Sequence, residues 1–200
     1  EYCSFRSLMG VKNSTINREL TIARSAINYY NKHNQTNIKN PFLGFNLFEA
    51  DFMPRFLSEN ECSKLLAVCS DYANSTFYAY VQLLLHTGCR SGELLSLTWD
   101  NVNLDARYLV VRNSLSKNKK TIYKPLNLQA IKAFDCLSFY DSDFVFYNPK
   151  TDNRYKTFRR AWLSSVEKSK IGHVRIHDLR HTFASLLIKQ GVPLYHVSQL

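Results

Sequence analysis

Gly88-Cys89-Arg90-Ser91-Gly92-Glu93 and, far downstream, His177-Asp178-Leu179-Arg180-His181 decide how this 200-residue chain is read. In the first stretch, glycines near both ends let the backbone turn sharply between two apolar helical runs. Arg90 falls at the start of the helix expected over residues 91–97. An arginine there forks onto a phosphate while the helix amides add positive potential. Paired with Glu93 instead, it makes an ordinary corner between helices, and the stretch alone leaves both readings open. In the second, His177, Arg180 and His181 stand at i, i+3 and i+4 and share a helix face. Leu179, Phe183 and Leu186 are read as an apolar backing on the other side. Such a pre-organised set of donors suits charge on a phosphate; core histidines beside a salt-bridged arginine are the plainer alternative. Zinc fits less well, because the glutamate of His-Glu-x-x-His is missing and Arg180 repels a cation. No metal or other cofactor is expected.

Outward from these stretches, Ser58 and Glu61 fit a capping box for a helix through Cys69, and a second apolar helix over 76–87 ends at Gly88. Tyr108-Leu-Val-Val-Arg112 reads as a strand with a hairpin partner over 121–126. Between them lies a lysine-rich tip with Lys117, Lys119 and Lys120, followed by Lys124. Lysines on a turn guard a solvated edge, or one of them delivers a proton to a leaving oxygen. Helix is expected over 127–137, strand over 144–147, helix over 155–168 and helix over 177–190, where Gly191 stops it and Pro193 starts the next. The fold class is therefore mainly α with a small antiparallel β-sheet (α+β).

Upstream, a helix begins at Ser14-Thr15 with Ile16, Leu20, Ala23, Ala26, Ile27 and Tyr30 on one face. Arg18 and Arg24 lie off that stripe, available to phosphate. An Asn-rich patch, 31–40, leads to the helix stop Asn40-Pro41. The expected domains are 1–40, a helical piece; 41–57, a linker holding two prolines and apolar anchors; and 58–200, the main domain.

Lysine and arginine outnumber acids 26 to 16, a formal charge of +10, which attracts polyanions, nucleic acid above all. Five widely spaced cysteines, with no Cys-x-x-Cys, argue against a disulfide framework and a zinc knuckle. They suit buried positions in a reducing cytoplasm. No apolar run approaches the ~20 residues that cross a bilayer. A start at Glu1 and an end within an apolar helical pattern suggest a piece of something longer.

Taken together, Leu84–Trp99 (with TGCRSGELLSL), the lysine hairpin before Pro125-Leu126, and Ile176–Ser185 (IHDLRHTFAS) resemble, in order and spacing, the catalytic domain of the tyrosine recombinase (phage integrase) family. Ser14–Pro41 is similar to the last helix of that family's core-binding domain. The resemblance implies a site-specific recombinase for integration or excision of a mobile element or prophage. It would cleave and rejoin DNA through a 3′-phosphotyrosyl intermediate, without metal or external energy. Arg90 and Arg180 would clamp the scissile phosphate, His177 would act as acid/base and donor, and Lys117 would protonate the leaving 5′-oxygen. Glu93 would orient Arg90 and His181 would support the site. Arg18, Arg24, Lys119, Lys120 and Lys124 would contact DNA. The implied partners are double-stranded DNA, a homo-tetramer on two sites and candidate DNA-bending accessory proteins, with a cytoplasmic, nucleoid-associated location. The family's Leu-Gly-His or Leu-Gly-Trp motif and its nucleophilic tyrosine are expected after Leu200. Tyr195 is read as a packing residue. A catalytically inactive recombinase-like DNA-binding protein and a type IB topoisomerase are the alternatives.

Overall fold

The computed structural model describes residues 1–44, 48–49, 54–72, 74–112, 121–138 and 140–199. The chain forms two compact units, Glu1–Met53 and Pro54–Leu200.

In the first unit, α1 (Tyr2–Leu8) precedes α2 (Asn13–Asn34). Arg6 holds them together by pairing with Glu19 at 2.5 Å, and the Tyr2 hydroxyl donates to the same carboxylate. Ile16 and Leu20 of the expected stripe are buried, whereas Tyr30 is half exposed. The helix continues into the Asn-rich patch and ends at Gln35, which takes the left-handed conformation. The segment expected as a linker, 41–57, divides between the units. Its first part returns to α2: the Asn17 amide bonds Phe48 O at 2.7 Å and Phe48 N donates back to Asn17 at 2.9 Å. Asn40, just before it, is buried and donates to Arg24 O and Asn28. Backbone groups satisfied by α2 side chains make this part a folded edge of the first unit. Residues 54–57 belong to the second unit.

The second unit carries the expected α+β architecture. It runs α3 (Glu59–Ser70), α4 (Ser75–Thr87), α5 (Ser91–Leu95), a 3-10 turn (Trp99–Asn101), β1 (Val102–Asn103), β2 (Tyr108–Val111), β3 (Ile122–Pro125), α6 (Leu128–Asp135), β4 (Tyr147–Asn148), β5 (Asn153–Arg154), α7 (Arg159–Ser169), α8 (Asp178–Lys189) and α9 (Leu194–Gln199). The strands form an antiparallel sheet in the order β1-β2-β3 and a separate β4-β5 hairpin. Apolar α4 is the centre: Phe77, Ala79, Tyr80, Val81, Leu83 and Leu84 are almost wholly buried, and α3, α6 and α8 pack on it. Cys62, Cys69 and Cys89 are buried, as small apolar side chains are.

Two elements start later than their sequence pattern suggests. Residues 143–145 pair with the 97–99 segment, through Trp99 N to Asp143 O and Val145 N to Leu97 O, so the strand proper is only Tyr147–Asn148. Tyr155 N donates to Phe146 O, which commits Tyr155 to an extended backbone. Helix α7 therefore opens at Arg159 instead of residue 155. No helix of the described residues is long and apolar enough to cross a membrane.

Candidate active site

The site is assembled where the end of α4, the start of α5, strand β3 and the first turns of α8 meet. Gly88 ends α4 in the left-handed conformation, φ +61. Arg90 then caps α5. Its amide donates to Glu93 Oε2 and its Nη1 to Glu93 Oε1, both at 2.7 Å, and Glu93 is buried. The carboxylate thus closes the turn and fixes the arginine together, while the Arg90 side chain remains 36% exposed. The Glu93 pair of the corner reading is present, and it leaves the Arg90 guanidinium reachable.

The start of α8 is braced from several sides. Asp178 is buried, accepts from the Arg175 amide at 2.8 Å and pairs with the Arg175 guanidinium at 2.6 Å. The Arg175 pair and that amide outweigh burial and hold the Asp178 carboxyl below its ordinary value. Thr182 donates to Asp178 O and accepts from Leu57 N at 2.9 Å. On this frame His177 is exposed at the helix start, and its ring stands edge-on to that of His181, centroids 5.0 Å apart. Partial burial, then the neighbours His181 and Arg180, push the His177 imidazole down from its ordinary value.

Arg180 crosses from α8 to the glycine corner, where its Nη1 donates to Gly88 O. Burial lowers its guanidinium first and Arg90 second, with Glu93 opposing; the two arginines sit in one electrostatic field. Phe183 follows Leu179 by one turn. Its ring lies against Gly88, so close that a Cβ there would stand 2.3 Å from Cδ1. Residues i and i+4 share a face, so Phe183 stands with Leu179, which is the fully buried part of the expected apolar backing.

Lys124 corrects an expectation. Grouped with the hairpin tip as a DNA contact, it belongs to β3, opposite Leu109, and is 1% exposed. Strand alternation turns Lys124 inward with Leu109 and Val111, and Tyr123 outward. Its titratable neighbours are Cys89, Arg180, Glu93 and Arg90. Arg24 is likewise partly committed, since its Nε donates to Phe42 O at 2.9 Å; Arg18 is exposed. Tyr195, expected as a packing residue, is 72% exposed, with its ring edge-on to that of His196 at 5.7 Å. Lys117, Lys119 and Lys120 lie outside the described residues.

The structure thus brings Arg90, Glu93, Lys124 and Arg180 together, with His177 and His181 on the helix end beside them. The residues that sequence reasoning missed are Asp178, Arg175 and Thr182. Arg175-x-x-Asp178 carried the only legible signal, a carboxylate placed to cap the turn before it. Among the described residues, no group of three or more His, Cys, Asp or Glu side chains is placed to hold a metal.

A helical domain built on α4, with a three-stranded antiparallel sheet, has the fold of tyrosine recombinase catalytic domains. The Tn1549 transposon integrase, solved in complex with circular intermediate DNA, matches all of this chain and 74% of its own with a TM-score of 0.78 and 21% identity. The chain belongs to the phage integrase family, whose pattern matches residues 55–200. It is 26% identical to the integrase of Salmonella phage P22 over 70% of this chain, and it spans only 38% of that relative. It is also 26% identical to the tyrosine recombinase XerC of Staphylococcus aureus over its full length, spanning 70% of that protein.

Proposed function

We propose that the chain is the greater part of a site-specific DNA recombinase that cuts and rejoins strands through a 3′-phosphotyrosyl intermediate, serving integration or excision of a mobile element or prophage. The observation that carries this reading is the meeting of Arg90 and Arg180, far apart in sequence, at the Gly88 corner. Two cations held by Glu93 and a backbone carbonyl suit an anion whose charge grows as a phosphodiester passes through its transition state. His177, exposed at the start of α8, acts as acid/base and as a donor to the phosphate. Lys117 protonates the leaving 5′-oxygen. The nucleophile in this reading is a tyrosine expected after Leu200. The freed 5′-hydroxyl of a partner strand reverses the attack, so no energy source is needed.

The partner is duplex DNA, held through the first unit with Arg18 and Arg24 and through the basic surface of the second. The working assembly is a homo-tetramer on two duplexes, helped by DNA-bending proteins, in a cytoplasm where it meets the nucleoid. The test is a nicked duplex, made from the junction of the element that encodes the chain, whose cut strand diffuses away and traps the covalent complex. With the full-length protein, Arg90→Ala or Arg180→Ala should slow trapping by about 10²–10³-fold, the cost of one transition-state donor, while DNA affinity changes little. Trapping at the wild-type rate by both variants refutes the proposal.

A further inference from the structure

Lys124 occupies the position where β3 turns inward, opposite Leu109, a place suited to an apolar side chain. Its Nζ is buried and has no hydrogen-bond partner among the described residues. The groups that face it are Cys89, Arg90 and Glu93 from the corner between α4 and α5, and Arg180 from α8. Both oxygens of Glu93 are already engaged by Arg90. Three cations therefore share one carboxylate, and a buried donor lacking an acceptor is costly unless something else supplies one.

We propose that Lys124 is the third cation of the phosphate site, a positioning residue behind Arg90 and Arg180 whose missing counter-charge is the bound anion itself. This rests on the arginine pair being a phosphate site. Burial holds the Lys124 ammonium below its ordinary value, and Arg180 and Arg90 press in the same direction. An anion between the arginines reverses that pressure. Between the lower value of the free protein and the higher value of the complex, anion binding takes up a proton, and binding weakens as pH rises through that window.

The test uses inorganic sulfate, which has no titrating proton of its own in this range. Proton uptake on sulfate binding is measured by calorimetry in paired buffers of different ionisation heat, from pH 7 to 10, for the wild-type chain, Lys124→Met and Lys124→Gln. Two neutral variants are measured so that a folding failure of one leaves the other to report. The wild type should take up more protons than either variant, by up to about one per site. In the trapping assay both variants should be roughly tenfold slower, less than the loss of a direct donor, and Lys124→Arg should recover part of the rate. Equal proton uptake in the wild type and the folded variants overturns the proposal. Failure of every protein, wild type included, to trap DNA refutes the recombinase reading instead, and the sulfate measurement still decides the role of Lys124.

Discussion

Gly88 is held to glycine by two independent constraints, a left-handed φ of +61 and the ring of Phe183 where a Cβ would go. Gly88→Ala should therefore cost roughly 2–3 kcal/mol, part from backbone strain and part from forced displacement of a packed ring, read as a lower urea midpoint. Phe183→Ala in the same chain should recover the packing part and leave the backbone part, a non-additivity that a double-mutant cycle detects. Full additivity would separate Phe183 from the corner. The assignment of Lys117 has its own chemical test. Lys117→Ala should slow cleavage at a normal 5′-oxygen leaving group and be rescued when that oxygen is replaced by sulfur, which departs without a proton. Lys119→Ala and Lys120→Ala should show no such rescue; if one of them does, the hairpin register shifts to that residue.

Helix α3 shows how an end is written into a few residues. The Ser58 hydroxyl accepts from Glu61 N, while Glu61 Oε2 accepts from Ser58 N at 2.8 Å. Arg55 closes on the same carboxylate and reaches Ile171 O at 3.1 Å, joining the entry of α3 to the turn before α8. Arg55 first, then the Ser58 amide, lowers the Glu61 carboxyl from 4.5 to about 2. A carboxyl depressed by folding contributes stability that is present above its unfolded value and lost as pH falls through the folded one. Melting temperature should therefore fall between pH 4.5 and 2, and Glu61→Gln should flatten that part of the curve. An unchanged acid limb would show that the Arg55 pair is screened away by solvent. Ser58→Ala should cost about 1 kcal/mol, the usual loss of an N-cap.

At the scale of the whole molecule, the excess of 26 basic over 16 acidic side chains should make duplex binding steeply salt-dependent. Log K should lose about 0.9 per phosphate neutralised for each tenfold rise in salt; a titration flat over that range excludes a phosphate-led contact. The sequence by itself determined the elements whose signals are local. The Ser58–Glu61 box, the Gly88 stop, the α4 run and the β2–β3 hairpin each depend on residues a few positions apart, where periodicity and capping act. It also marked Arg90, at a helix start after a glycine corner, and His177 and Arg180, because helix geometry places i and i+3 on one face. Tertiary structure alone decided the rest. The 41–57 segment could not be divided from its prolines, because its first part is held by α2 side chains contributed from far along the chain. That Phe183 packs its ring on Gly88 was decided by the meeting of α8 with the end of α4. Lys124, grouped by sequence with an exposed tip, was buried by the pairing of β3 with β2 and the arrival of Arg90 and Arg180 from two helices. A lysine's surroundings are set by what packs over it, and those groups lie dozens of residues away.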